Sequence, residues 1–212
     1  MIPGSYSFLR DLKNCPHKAF RRFISRDLPR ADTPALEYGR MIHKRAEDYI
    51  KTGRSLEGVS ATLAGLAAPL RDQGAQAEVA MGMTREMLAD EYWGTPWFRG
   101  KADVLMLKPP HAMLIDWKTG KSDENTRELE CQALLVRANY PEINRITGMY
   151  VWLKEDRLGK HHDLTDLDRA WHATVTEMNR AQVYEDAGDW PKTPNPLCGW
   201  CDVTDCEHRR AR

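Results

Sequence analysis

The stretch FRGKADVLMLKPPHAMLIDWK, residues 98–118, decides the fold. Two apolar runs, over 97–108 and 112–118, flank a Pro-Pro pair, a pattern that predicts an antiparallel hairpin. Side chains alternate along a strand, so Asp116 and Lys118 share one face and Trp117 points to the other. Asp103 lies on the first strand, and a hairpin closed at the prolines brings it towards Asp116.

This grouping of charges has a chemical interpretation. Two carboxylates can hold a divalent cation that polarises a phosphate and activates water, and a lysine can orient the water or offset developing charge. A surface salt bridge between Asp116 and Lys118 is the usual meaning of an isolated D-x-K triplet. The additional Asp103 and the apolar flanks favour the catalytic interpretation, because a charge within an apolar strand is costly unless it is paired or metal-bound.

Helical and strand patterns continue on both sides of the hairpin. Hydrophobic periodicity and breaker residues predict helices over 7–14, 17–26, 36–51, 56–73, 124–139 and 166–186. Further strands are predicted over 77–83 and 145–154, with a short edge strand over 160–164. Residues 189–212 form a tail rich in proline and cysteine and without periodicity. The order predicts an α/β domain with a mixed central sheet flanked by helices.

Composition is that of an ordinary globular protein. Hydrophobic residues make up 42% and charged residues 29% of 212 residues, with a formal net charge of zero. Neutrality argues against a uniformly basic DNA-coating protein, but not against a locally basic groove. No run approaches the roughly 18 apolar residues of a membrane span, and residues 1–10 lack the pattern of a signal peptide. We therefore expect a cytoplasmic protein with no membrane partner.

Four of the five cysteines lie near the two ends of the chain. Cys15 stands alone, whereas Cys198, Cys201 and Cys206 form C-x2-C-x4-C. Four thiolates select an iron–sulfur cluster or zinc, and unligated thiols are the remaining alternative. His17 and His208 lie close in sequence and could instead complete a Cys3His zinc site. We expect any cluster here to be structural and not redox-catalytic, because the tail lacks a hydrophobic face of its own. Cys131 is expected to be a small buried residue.

Weaker candidates surround these two groups. Gly39 and His43 share one helical face, and a glycine there lets the helix approach a sheet closely. Gln132 follows the D-x-K strand and could reach substrate. Arg21 and Arg22 could contact a DNA backbone, although a solvated helix face is an equally good interpretation.

The chain resembles the RecB-type branch of the PD-(D/E)xK nuclease superfamily over nearly its whole length. Ser5 to Leu9 and Cys15-Pro16 look like its S-x-S-x-L…CP opening, and residues 39–43 match its G-x-x-x-H motif. Residues 100–103 match G-x-x-D and residues 116–118 match D-x-K. The most similar members are those with cysteine clusters: CRISPR-adaptation exonucleases, the AddB nuclease domain and phage exonucleases.

The resemblance implies a restriction-endonuclease-like core and specific roles for residues. It implies that His43, Asp103, Asp116 and the Trp117 main-chain carbonyl ligate Mg²⁺ or Mn²⁺, with Lys118 as the catalytic lysine. It also implies that Cys15, Cys198, Cys201 and Cys206 hold a [4Fe–4S] cluster that joins the two ends, with structural zinc as the alternative. The family's Q-x-x-x-Y motif is incomplete, since Val136 stands at the tyrosine position and Tyr140 lies one turn later. Glu78 falls where relatives often carry a glutamate, which implies a supporting role.

We therefore expect residues 1–212 to form one nuclease domain, with a core over about 36–187 and cluster-binding elements over 5–26 and 189–212. The expected activity is hydrolysis of DNA by metal-activated water, as an exonuclease acting on ends or single strands. A structure- or sequence-specific endonuclease on the same fold is one alternative, and a catalytically inactive, metal-clasped nucleic-acid-binding module is another. Expected partners are DNA, proteins of recombination, repair or CRISPR adaptation, and further copies of the chain.

Overall fold

The hairpin of residues 98–118 lies at the centre of one mixed sheet. The computed structural model describes residues 2, 4–28, 33–123 and 125–209. Within these residues the strands are β1 (Gln76–Met83), β2 (Ala89–Asp90), β3 (Phe98–Lys108), β4 (His111–Lys118), β5 (Arg145–Trp152), β6 (Arg157–Leu158) and β7 (His162–Asp163). Their order is β2-β1-β3-β4-β5-β6, and β7 also pairs with β5. β4 and β5 are parallel and the other pairs are antiparallel, so the predicted mixed sheet is confirmed.

Helices lie before, between and after these strands. They are α1 (Tyr6–Asn14), α2 (Pro16–Ala19), α3 (Pro34–Thr52), α4 (Ala61–Asp72), α5 (Arg127–Asn139) and α6 (Asp168–Ala187). The chain continues from α2 into a π-helical segment, Phe20–Ile24, and a 3₁₀ turn, Pro196–Trp200, lies in the tail. No helix among the described residues is long and apolar enough to span a membrane.

Two apolar clusters fix the helices to the two faces of the sheet. α3 and α4 contribute Ile42, Ala46 and Leu63 to a cluster with Val104, Ile115 and Trp117 on one face. α1, α5 and α6 pack with Phe98, Leu105 and Leu114 on the other. Trp117 therefore faces away from Asp116 and Lys118, as the alternation of side chains predicts.

Most errors in the predicted elements concern where helices begin and end. Ser5, and not Ser7, caps α1, since its Oγ accepts a hydrogen bond from the Phe8 amide at 3.2 Å. The helix predicted over 56–73 starts only at Ala61, because Ser60 caps it in the same way. The helix predicted over 124–139 begins at Arg127, and Glu124 lies outside the described residues. β2 and β6, two residues each, are too short to leave a periodic signal.

Candidate active site

Three carboxylates lie on neighbouring strands at one level of the sheet: Glu78, Asp103 and Asp116. Val104 pairs with Ala77 in β1 and with Ile115 in β4. Glu78 directly follows Ala77, Asp116 directly follows Ile115, and Asp103 directly precedes Val104. The three acids therefore lie side by side, one on each strand. The hairpin thus brings Asp103 and Asp116 together, and β1 adds Glu78 beside them.

The backbone at Glu78 departs from regular strand geometry. Its φ is +53°, in the left-handed region that residues other than glycine rarely adopt. Ala77 packs into the α3–α4 cluster, whereas Val79, two residues later, packs against the cluster on the opposite face. The alternation of side chains is therefore interrupted at Glu78, and this local strain is typical of functional positions.

His43 approaches these acids from α3. Its Nδ1 lies 3.4 Å from Asp103 Oδ1, and one potential ligand atom each from His43, Glu78 and Asp103 lie within 4.8 Å of one another. Burial works to lower the pKa of His43, but the hydrogen bond and negative charge of Asp103 outweigh it and raise that pKa. A Cβ added to Gly39, one turn earlier, would come 3.1 Å from Thr119 Oγ1. A glycine at this position thus allows the close approach of α3 to the end of β4.

Asp116 is held next to this triad. Only 2% of the residue is exposed, its Oδ1 accepts a hydrogen bond from Gln132 Nε2 at 3.0 Å, and its Oδ2 lies 2.6 Å from Lys118 Nζ. Burial and the negative charge of Asp103 raise the pKa of Asp116 to about 7. Asp103 and Asp116 repel each other when both are ionised, and a bound cation would relieve this repulsion.

Lys118 lies between two carboxylates. Besides Asp116, its Nζ contacts Glu128 Oε2 at 2.5 Å and lies 5.4 Å from the centroid of the Tyr150 ring. Burial works to lower the pKa of Lys118, but the two carboxylates outweigh it and raise that pKa, so the amine is a cation at neutral pH. Sequence reasoning missed Glu128; its only signal is its position one helical turn before Gln132.

The residues present fit a divalent cation. Carboxylate oxygens suit Mg²⁺ and Mn²⁺, and the imidazole nitrogen of His43 adds to the suitability for Mn²⁺. The compact donor set is His43, Glu78 and Asp103, whereas Asp116 lies beside it. The Trp117 backbone amide donates to Asp103 Oδ2 at 2.8 Å, so Trp117 orients this carboxylate. Metal ligation by its carbonyl stays a prediction.

The weaker substrate-binding candidates are placed differently. Gln132 is buried, and its amide group bonds Asp116 and the Lys101 carbonyl, so it orients an acid of the site. Tyr140 caps the C-terminal end of α5, two turns beyond Gln132, and thus lies away from Lys118. Arg21 pairs with Asp27 and Asp205, and Arg22 pairs with Asp11 and Asp202. These ion pairs occupy both guanidinium groups and so do not favour phosphate binding by them.

The four predicted cluster cysteines line one surface cavity, together with His17 and His208. Each of these cysteines is half-buried and unpaired, whereas Cys131 is buried in α5 as predicted. No three described ligand atoms at this cavity lie within 4.8 Å of one another. A single zinc ion needs tighter spacing, since Zn–S bonds are about 2.3 Å. A multi-iron cluster binds each thiolate at a different iron and accepts wider spacing.

Protein contacts hold the tail that carries three of these cysteines against the N-terminal elements. The His17 amide donates to the Pro191 carbonyl at 3.1 Å, and Asn195 Nδ2 donates to the Asn14 carbonyl at 3.1 Å. Trp190 packs against Phe20, with ring centroids 5.6 Å apart. These contacts place the two ends of the chain together around the cysteine cavity.

Comparison with known proteins shows a likeness in fold. No family model and no curated protein matches the chain. Two crystal structures align over 100% of this chain and 89% of their own, each with 16% sequence identity. One, with a TM-score of 0.60, is a protein from Eubacterium rectale provisionally named an exonuclease. The other, with a TM-score of 0.55, is SSO0001.

Proposed function

We propose that this protein is a divalent-metal-dependent deoxyribonuclease of the RecB-type PD-(D/E)xK kind. The observation that carries the proposal is the meeting of His43, Glu78 and Asp103 beside the pair formed by the buried Asp116 and the half-buried Lys118. Metal ligands next to a fixed ammonium group suit phosphodiester hydrolysis. The fold shared with the provisionally named exonuclease agrees with this proposal, and we propose exonuclease action on ends or single strands.

The side chains of the site have separate roles in metal binding, charge stabilisation and positioning. His43, Glu78 and Asp103 would hold Mg²⁺ or Mn²⁺, with Asp116 alongside. When bound, the cation supplies polarisation of the scissile phosphate and a lowered pKa of the attacking water. Lys118 stays protonated and offsets charge on the phosphate oxygens. Gln132 and Glu128 fix Asp116 and Lys118, so that little reorganisation is needed during reaction.

We propose further that Cys15, Cys198, Cys201 and Cys206 hold a [4Fe–4S] cluster, with structural zinc as the alternative. The position of all four cysteines around one surface cavity supports this proposal. Proteins of recombination, repair or CRISPR adaptation, and a homo-oligomer, are the proposed partners. The proposed location is the cytoplasm, where a reducing environment preserves thiolate ligands.

Cleavage by an Asp116→Ala variant tests the site. We expect wild-type protein with Mg²⁺ or Mn²⁺ to degrade linear or single-stranded DNA, and the variant to lose at least about 100-fold in rate. The exposed Asp90→Ala is the matched control and should keep full activity. Cleavage of closed circular DNA would instead identify an endonuclease, and binding without cleavage would identify an inactive module. Full activity of Asp116→Ala would contradict the assignment of the site.

A further inference from the structure

Lys101 places a second ammonium group at the outer edge of the donor set formed by His43, Glu78 and Asp103. It lies on β3 two residues before Asp103, and its backbone pairs with that of Ala80 in β1. Glu78 is therefore its diagonal neighbour on the next strand, within reach of a long side chain. Lys101 Nζ lies 3.3 Å from Glu78 Oε2. An amine thus contacts a carboxylate that the proposed cation would also use.

The two lysines of the site are held differently. Lys118 lies between Asp116 and Glu128, and its departure would take a cation away from the buried Asp116. Among the described residues, Glu78 is the one carboxylate that pairs with Lys101, and 41% of the Lys101 side chain is exposed. An exposed lysine–carboxylate pair is held weakly, and the stem of a lysine is flexible. Lys101 can therefore leave its carboxylate at little cost, whereas Lys118 cannot.

The backbone of Lys101 is anchored, in contrast to its side chain. Gln132 Nε2 donates to the Lys101 carbonyl at 3.3 Å and to Asp116 Oδ1 at 3.0 Å. The pairing of β1 with β3 also continues without a break from Phe98 to Ala102. A change in the position of the ammonium group therefore requires rotation within one side chain only, and it leaves the strands that carry the donor set in place.

Two positive charges at one carboxylate weaken each other's binding. With Lys101 beside it, Glu78 is partly neutralised, and the ammonium group would also repel a divalent cation held by the donor set. A phosphate group of the substrate offers Lys101 another anionic partner. The departure of Lys101 from Glu78 would remove both effects, so that phosphate and cation favour each other through this lysine in addition to their direct attraction.

We propose that Lys101 couples the binding of the divalent cation to the binding of a substrate phosphate. In the substrate-free protein it lowers the affinity of the donor set for the cation, and it relieves this restraint when it moves to a phosphate. By thermodynamic linkage the cation raises the affinity for phosphate by the same factor. Lys101 is thus a positioning residue, distinct from the catalytic Lys118. The proposal rests on the proposed nuclease function, which brings a phosphate next to the cation.

Calorimetric titration with Mn²⁺, with and without saturating thymidine 5′-monophosphate, tests the coupling in wild-type protein and in Lys101→Met. This nucleotide carries a phosphate but no phosphodiester bond, so nothing is cleaved, and methionine keeps the apolar part of the side chain. Without nucleotide, we expect Lys101→Met to bind Mn²⁺ about five-fold more tightly than the wild type. With nucleotide, the wild-type affinity should rise to within about two-fold of that of the variant.

The matched control is Lys51→Met. It breaks an exposed lysine–carboxylate pair on α3, in which Lys51 Nζ lies 2.7 Å from Glu47 Oε1. Lys51 lies about two turns beyond His43 along the helix, so this variant loses the same charge away from the donor set. It should follow the wild type in both titrations.

Equal or weaker Mn²⁺ binding by Lys101→Met without nucleotide would overturn the proposal, because Lys101 would then only hold Glu78 in place. A difference that persists with nucleotide would also overturn it. Thermal melting checks that Lys101→Met is folded; if it is not, Lys101→Gln takes its place with the same expected result. The coupling without DNA cleavage in Mg²⁺ or Mn²⁺ would refute the nuclease and keep the role of Lys101. Cleavage without the coupling would refute that role and keep the nuclease.

Discussion

At the scale of single residues, Glu78 combines backbone strain with a position in the ligand set. A left-handed φ in a residue with a Cβ costs about 1 kcal/mol or more, and at Glu78 this conformation also turns Ala77 and Val79 to opposite faces of the sheet. The strain places the Glu78 carboxylate beside His43 and Asp103. The sequence suggested only a supporting role for Glu78, because an interruption of the pleat at a residue other than glycine leaves no mark in the pattern of hydrophobic residues.

Two substitutions at Glu78 separate the contribution of its carboxylate to metal binding from the cost of its backbone conformation to stability. Glu78→Ala and Glu78→Gly both remove the carboxylate, so both should weaken Mn²⁺ binding by at least about ten-fold, as measured by calorimetric titration. Glycine adopts φ of +53° without strain, whereas alanine does not. We therefore expect Glu78→Gly to exceed Glu78→Ala in free energy of unfolding by about 1 kcal/mol in urea denaturation. Glu86→Ala, in the exposed β1–β2 turn, controls for charge; equal stability of the two Glu78 variants would contradict the strain argument.

At the scale of elements, strands were easier to predict than helix positions. The hairpin of β3 and β4 is encoded locally, by alternation and by the Pro109-Pro110 turn, so the approach of Asp103 to Asp116 follows from the sequence. The contact between Glu128 and Lys118 depends instead on where α5 begins and how it is rotated over the sheet. Neither property is set by nearby residues, and this contact therefore could not be predicted.

The π-helical segment after α2 joins the N-terminal elements to the tail through Arg22. Its guanidinium pairs with Asp11 at 2.5 Å and with Asp202, and only 4% of the Asp11 side chain is exposed. Among the described residues, Arg22→Ala leaves that buried carboxylate with the cations of Arg10 and Lys18, each 4.0 Å away. Because Arg22 itself is partly exposed, we expect a loss of about 2 kcal/mol in unfolding free energy, below the range for fully buried pairs.

Urea denaturation and limited proteolysis of the tail measure the Arg22 effect. The control is Asp205→Ala, which removes an exposed partner of Arg21 and should change stability by less than about 0.5 kcal/mol. Equal effects of the two variants would show that the burial of Asp11 does not matter to the attachment of the tail.

At the scale of the whole molecule, the topology brings residues near position 15 and position 200 to one place. The sequence indicated this through its cysteines, because ligands at both ends of a chain must meet if they share a metal. It did not indicate that ion pairs and the Trp190 side chain would dock the tail as well. Those contacts join residues about 180 positions apart, and no local pattern records such a pairing.

The cysteine site and the candidate active site share no residue, so their contributions should separate. A clasp between Cys15 and the tail closes a loop of about 180 residues and can contribute up to about 5 kcal/mol by chain-entropy estimates. Cys201→Ser should therefore remove iron, sulfide and visible colour, and should lower the unfolding temperature by several degrees. The protein contacts of the tail should keep the variant folded, with Mn²⁺ binding at His43, Glu78 and Asp103 unchanged.

The control is Cys131→Ala, which removes a buried thiol outside the cavity and should retain the iron. A Cys201→Ser protein that lacks iron yet melts at the wild-type temperature would show that the cluster does not stabilise the fold. Zinc in place of iron in the wild-type protein would favour the alternative metal.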